Sequence, residues 1–361
     1  KVEKLNALEH KDPRCITGGT SWWNVLFGPW MAGMATVFKE RFNYQSSTFY
    51  ATSTNFVDLG TWFDRDDDHH AVCGDDQLIV LFDQELGWVY LIGDGGRHDA
   101  HMHEGFWELK WKCYEHVASP LPNRIATLVK ASQKHTFSKA NFEIEYSHPY
   151  RVRSGDPDTS MGNSVCTDFI AATTAQWFRE HRARGTGLNA LAPLITERWA
   201  LLGYDLELEI TTDPCRAEFL SGCFMPVGGV TYWIPKVGRL LSRIGWFITR
   251  AGKTGRWRYL AGTINSFKQY RFVPFLRVYL ERIMQLIPER YRHEPPRFET
   301  WGVGSAVGPM EPEGDSWEFF LGRYGLTERD EQSFQVSLML VTTLPFALTD
   351  SSVGVMVGVD C

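Results

Sequence analysis

The sequence predicts an α+β fold, an antiparallel sheet with helices on one face. Three observations lead there. Within residues 71–99, two apolar runs (78–82 and 88–92) flank the polar break Asp83-Gln84-Glu85, which ends at Gly87. That is the pattern of an antiparallel hairpin. Residues 205–211 alternate Leu or Ile with Glu, the period of a half-buried strand. The stretches 104–117 and 160–182 read as helices instead. No internal repeat or low-complexity tract interrupts the chain.

The bulk composition sets bounds. The chain has 361 residues, enough for a large core and about two or three subdomains. It is 43% hydrophobic and 22% charged, as globular proteins are. Fourteen Trp and 23 Phe favour an aromatic core or stacking surfaces. The net charge of −6 does not mark the whole chain as a nucleic-acid binder. Seven scattered cysteines without a CxxC pair point to reduced thiols in a cytosolic setting. No run of about 18 apolar residues is present, so no membrane span is expected. The lack of an initiator Met and of a leader predicts the excised core of a longer protein.

In chain order, a basic-polar opening with Arg14 leads to Gly28-Pro29 and a helix over 31–42, its apolar face Met31, Met34, Val37 and Phe38. Residues 49–63 read as β, and 64–68 as a solvated acidic loop. The segment His98-Asp99-Ala100-His101-Met102-His103 predicts a short helix that exposes its rings; a zinc site is the rival reading. Helices follow at 104–117, ended by Pro120 and Pro122, and at 125–138, then a strand at 141–146. Ser154-Gly155-Asp156-Pro157-Asp158 is a loop with strong turn chemistry. Asp158 or Thr159 can N-cap the helix over 160–182. A helix at 191–202 and the strand at 205–211 precede a hairpin, 218–224 with 230–234. Residues 236–293 then hold 13 Lys or Arg against two Glu, with aromatics interleaved. This reads as a helical nucleic-acid track, with Lys236, Arg239, Arg243, Arg250, Lys253, Arg256 and Arg258 at its start. Gly252-Lys253-Thr254 is not a phosphate loop, because its spacing to Gly245 is wrong. The tail after about residue 295 is Gly-, Pro- and acid-rich and then β-like to Cys361.

Strand arithmetic gathers acids at one end of the sheet. Asp76 lies seven residues before Asp83, and Asp94 seven after Gly87. At about 3.3 Å per residue the two strands match in length. Asp94 therefore returns beside Asp75 and Asp76. A second hairpin pairs 70–73 with 77–80 across the tip Gly74-Asp75-Asp76, which makes a three-strand meander. Crowded carboxylates raise one another's pKa. A divalent cation removes that cost, and all-oxygen ligands suit Mg²⁺ or Mn²⁺.

Ser154-Gly155-x3-Thr159-x3-Asn163 resembles motif B of viral RNA-dependent RNA polymerases. With it, Asp94-x4-Asp99 resembles motif A and Gly74-Asp75-Asp76 motif C. Pro13-Arg14-Cys15-Ile16 is similar to the end of motif F, and residues 218–224 to motif E. The order C–A–B resembles the permuted polymerases of permutotetraviruses and birnaviruses. The resemblance spans roughly residues 10 to 240 and implies a right-hand fold. Fingers would take 1–63 and 105–150, palm 64–104 and 151–235, thumb and tail 236–361. It also implies two Mg²⁺ or Mn²⁺ ions on Asp75 and Asp94, with Asp76 a weaker ligand. Asp99 and Asn163 would sense the ribose 2′-hydroxyl. Ser154, Gly155 and Thr159 would hold template and nucleotide, and Arg14 the triphosphate. The partners implied are template and product RNA, nucleoside triphosphates and viral or host replication proteins. The implied place is the host cytoplasm or the virion. One expected part is missing, since no Lys lies between Asn163 and Glu218 to act as the motif D acid. The rival readings are a reverse transcriptase-like palm enzyme, a non-catalytic RNA-binding scaffold, and a zinc hydrolase using His98, His101 and His103.

Overall fold

The structure, a computed structural model, describes residues 21–117, 123–139, 145–153, 155–244, 253–297, 308–344 and 350–361. It is α+β. In chain order it runs through α1 (Ser21–Arg41), β1 (Thr48–Tyr50), α2 (Phe56–Phe63), β2 (His69–Cys73), β3 (Asp76–Asp83) and β4 (Gly87–Gly95). Then come α3 (His98–His101), α4 (Glu104–Val117), α5 (Asn123–Lys134), β5 (Thr136–Lys139), β6 (Glu145–His148), α6 (Thr159–Ala183), α7 (Leu188–Leu201) and β7 (Leu206–Thr211). A three-strand group follows, β8 (Glu218–Phe219), β9 (Gly222–Val227) and β10 (Val230–Pro235), with α8 (Val237–Leu241) directly after it. The chain ends in helices α9 (Lys253–Ser266), α10 (Leu276–Leu286), α11 (Gly314–Tyr324), α12 (Glu328–Met339) and α13 (Ser351–Asp360). Among the described residues no helix is long and apolar enough to cross a membrane.

Contacts divide the chain into two units. The first holds the described residues up to 52 and from 67 to 210; the second holds 53–66 and those from 211 onward. The described residues of 105–150 fall in the first unit and those of 236–361 in the second, while the expected segments 1–63, 64–104 and 151–235 are each divided between the two.

The first unit is built on a five-stranded sheet in the order β1-β2-β3-β4-β7. Strands β2, β3 and β4 form the expected meander. The first hairpin is tighter than expected, because Cys73 faces Asp76 across a two-residue turn, Gly74-Asp75. The sheet is also mixed rather than purely antiparallel, since β1 runs parallel to β2. On one face Ile79, Leu81, Val89 and Leu91 pack with Ile170, Ala171 and Phe178 of α6 and Trp199 of α7. Their period of two along each strand is what fixes the register. A second core joins α1 to α4 through Phe27, Met31, Trp111 and Tyr114, with Met161 of α6. Helix α1 runs through Pro29, which the sequence reading placed at its start.

The second unit departs further from expectation. Residues 56–63 are a helix, not a strand. Asn55 caps it, its side chain accepting from the Val57 and Asp58 amides at 3.0 and 2.8 Å. The hairpin β9–β10 closes on Gly228-Gly229, both at positive φ (61° and 78°), so its strands are longer than the expected five-residue turn allowed. The described part of the tail is helical, not β-like. Helices α11 and α12 open with capping boxes, Glu313 with Ser316 and Thr327 with Asp330.

Candidate functional site

The acids sit where the strand arithmetic puts them. Asp76 and Asp94 are direct partners across β3 and β4, so their side chains share a face of the sheet. Asp75 occupies the turn before β3, and its carbonyl accepts the Gly95 amide at 3.2 Å. Asp94 is exposed; Asp75 and Asp76 are half-buried. Gly74 fills the first central position of that turn at φ +67°, a conformation that favours glycine.

Helix α6 holds the turn from outside. The Gly74 amide donates to Ser164 Oγ at 2.7 Å, and Thr167 Oγ1 donates to the Gly74 carbonyl at 2.8 Å. Both backbone groups of Gly74 are thereby satisfied by residues three apart on one helix. The sequence reading missed Ser164 and Thr167, because a hydroxyl in a helix interior carries no local signal of a distant partner.

The segment after Asp94 is anchored from below. A methyl on Gly93 would stand 2.4 Å from the Gln77 side chain, and one on Gly95 2.1 Å from the Tyr204 hydroxyl. The Gly96 amide donates to the Asp205 carbonyl at 2.9 Å. His98 and His101 belong to this support. His98 Nδ1 lies 2.7 Å from the Tyr204 hydroxyl, and His101 Nδ1 lies 2.8 Å from the Gly96 carbonyl oxygen. His98 is 2% exposed, not presented to solvent as expected. Burial, with the neighbouring His101, pushes its pKa down to about 3. Burial and then nearby negative groups, Asp75 and Asp94 among them, push the Tyr204 phenol upward, so it stays neutral.

Asn163, in the first turns of α6, donates from Nδ2 to Asp99 Oδ1 at 2.8 Å. These two residues lie 64 apart in sequence and meet beside the acid-bearing strand end. Asn163 is 6% exposed, and its Oδ1 has no hydrogen-bond partner among the described residues. Thr159 closes the loop before α6, its hydroxyl donating to the Arg153 carbonyl at 2.6 Å. Gly155 is exposed. Asp158 holds the N-cap position, but its side chain makes no cap bond, contrary to the cap expected of it. Its carboxylate is turned instead to Lys110 and Gln133.

Arg14, Ser154 and Arg250 lie outside the described residues, as does the side chain of Lys253. The rest of the expected basic track is partly engaged within the fold. Lys236 pairs with Glu218, and Arg239 donates to Ser221 Oγ at 3.0 Å. Arg258 lies 3.2 Å from Glu294, while Arg243 and Arg256 are exposed. Arg277, Arg282 and Arg292 bind Glu331 or main-chain carbonyls. These bonds tie down part of the basic run that composition alone presented as free.

Among the described residues no group of three or more His, Cys, Asp or Glu is gathered closely enough to hold a metal ion. The donor set Asp75, Asp76 and Asp94 nevertheless suits a hard cation of the Mg²⁺ kind. Such an ion keeps several waters and is held by one or two carboxylates, with substrate phosphates completing the shell. No protein-family profile matches the chain, and no curated protein matches it at a significant level.

Proposed function

We propose that the chain is a template-directed RNA polymerase of the right-hand type, with its palm motifs in the order C–A–B. The observation that carries this reading is one convergence. Asp76 faces Asp94 across adjacent strands while Asn163 binds Asp99 at the same strand end. One hairpin and the distant start of α6 thus bring carboxylates for a cation next to a polar pair able to hydrogen-bond a sugar hydroxyl.

In this reading Asp75, Asp76 and Asp94 hold two Mg²⁺ or Mn²⁺ ions, which would stabilise the attacking 3′-oxygen and the leaving pyrophosphate. The rest is positioning, which dominates phosphoryl transfer. The Asp99 carboxylate accepts from Asn163 Nδ2, so Asn163 Oδ1 is left as an acceptor with no donor. A ribose 2′-hydroxyl supplies that donor, and a deoxyribose does not. The clamp of Ser164 and Thr167 on Gly74 fixes the turn that carries Asp75. The zinc reading has less support, because His98 and His101 are already bonded to Tyr204 and Gly96.

The test is primer extension on a short RNA template with Mg²⁺ and ribonucleotides. Wild type extends the primer; Asp75→Ala and Asp94→Ala each lose extension by at least about a hundredfold. Extension that survives Asp75→Ala would remove the Gly74-Asp75-Asp76 turn from the site and end the permuted assignment.

A further inference from the structure

We propose that Lys110 is a positioning residue for the choice of ribose over deoxyribose, acting through Asp158 on Asn163; this rests on the polymerase reading. Lys110 on α4 is 4% exposed and Asp158 1%. Lys110 Nζ donates to Asp158 Oδ2 at 2.7 Å, and Gln133 Nε2 donates to the same oxygen at 3.0 Å. Gln133 is fixed in turn by the Trp111 indole, which donates to its Oε1 at 2.9 Å. The pair is therefore enclosed, and its geometry is specified from both sides.

Asp158 transmits that geometry to α6. Its carbonyl accepts the Gly162 amide at 2.7 Å, which closes the first turn of the helix. Gly162 is hemmed in. A methyl there would stand 2.9 Å from Lys110 Cδ, 3.0 Å from the Tyr114 hydroxyl and 3.1 Å from Asp158 Oδ1. The next residue is Asn163, whose amide holds Asp99. A buried carboxylate is tolerated only when it is paired. With the Lys110 charge gone, the Asp158 carboxylate keeps only Gln133 as a donor and turns toward water, which displaces the turn before Asn163. Thr167, one turn further on, keeps its hold on Gly74, and the Ser164 hydroxyl is fixed as well by donating to the Ser160 carbonyl at 2.8 Å. The displacement therefore falls on the sugar pair more than on the acids. Misplacement of such a pair by about 1 Å can cost about a hundredfold in rate.

The experiment uses the full chain and compares kcat and KM for a nucleoside triphosphate and its 2′-deoxy analogue. Lys110→Met lowers the ribose preference by about tenfold or more, mainly by raising the ribonucleotide KM. Adding Asp158→Asn to it restores most of the preference, because no buried charge remains to be paired. Should Lys110→Met not fold, Gln133→Met removes one of the two donors and gives a smaller change in the same direction. In parallel, the amides of Gly162 and Asn163 exchange faster in Lys110→Met and recover in the double variant, a readout that needs no activity. An unchanged ribose preference in the folded, active variant overturns the proposal, as does a double variant no better than the single. A wild type that incorporates neither nucleotide ends the polymerase reading and the sugar role with it. Faster exchange at Gly162 and Asn163 in that case identifies the failure as one of chemistry, not of the Lys110–Asp158 coupling.

Discussion

Gly95 has the Tyr204 hydroxyl standing where its own side chain would be. That contact is possible because Gly95 has no Cβ, and the Tyr204 hydroxyl is held there by His98 Nδ1 at 2.7 Å. A histidine held near pKa 3 in the fold and near 6.5 when unfolded has a definite effect on stability. The unfolded chain takes up a proton that the folded chain refuses. The contribution of His98 is therefore complete above about pH 6.5 and is lost as the pH falls from there toward 3. The Tm of wild type should fall between pH 7 and 5 more steeply than that of His98→Gln, since the carboxylates that begin to titrate at the low end are common to both. Equal slopes would show that His98 is not held neutral by the fold.

Helix α6 is the element on which the site depends. Its 25 residues present Asn163 to Asp99, Ser164 and Thr167 to Gly74, and Ile170, Ala171 and Phe178 to the sheet core. The helix thereby sets both the Asn163–Asp99 pair and the turn that carries Asp75. A second tie joins the far ends of the same elements, where Arg182 donates to both carboxylate oxygens of Asp83 at 2.8 and 3.2 Å. This salt link holds the Asp83 carboxyl down at about 2. Removing the clamp at the other end should separate stability from catalysis. Ser164→Ala and Thr167→Val each leave one backbone group of Gly74 unpaired, at a cost of about 1–3 kcal/mol in urea unfolding. Primer extension in the same variants falls by about tenfold or more with nucleotide KM nearly unchanged, because the turn bearing Asp75 is loosened. Full activity in both would mean that the turn needs no outside support.

At the scale of the whole molecule, the second unit ties its last described helix, α13, to its strands and to α8 and α11. In the second unit Arg323 is the hub. It donates to the Cys215 carbonyl at 2.9 Å, to Glu218, and at 2.9 Å to Asp360 near the chain end. Asp360 also accepts the Gly238 amide at 2.8 Å and the Tyr324 hydroxyl at 3.0 Å. The side chains of Arg323 and Asp360 are 3% and 0% exposed, so the pair is fully desolvated. Arg323→Met should destabilise the unit by about 3–5 kcal/mol, because it leaves Asp360 buried and charged. The amides of α13 and β9 would then exchange faster, and unchanged protection of α13 would show that the pair does not hold it.

The first unit was the more legible from sequence, and its legible parts are local ones. The facing of Asp76 and Asp94 follows from equal strand lengths about one turn, and α4 from its own spacing and the prolines after it. The meeting of Asn163 with Asp99 was expected only through the family resemblance, since no local pattern links residues 64 apart. Ser164, Thr167, Tyr204 and the Lys110–Asp158 pair were not foreseen, because each has its partner on another element.

What the sequence by itself determined, then, is the meander, the register of β3 on β4 and the gathering of acids at one end; the β2–β3 pairing is one residue off the expected one. Strand rise, alternation and turn chemistry act over a few residues and need no distant partner. What only the tertiary structure decided is clearest in α13. Its valines at 353, 355, 357 and 359 alternate as in a strand, yet the segment is helical. Its buried residues are Ser352, Met356 and Asp360, four apart. Asp350 caps the helix at the Ser352 amide, Gly238 lies against the Met356 carbonyl, and Arg323 holds Asp360. Two of these three contacts come from residues far from α13 in the chain. Distant contacts of this kind outweigh a β propensity worth at most about 1 kcal/mol.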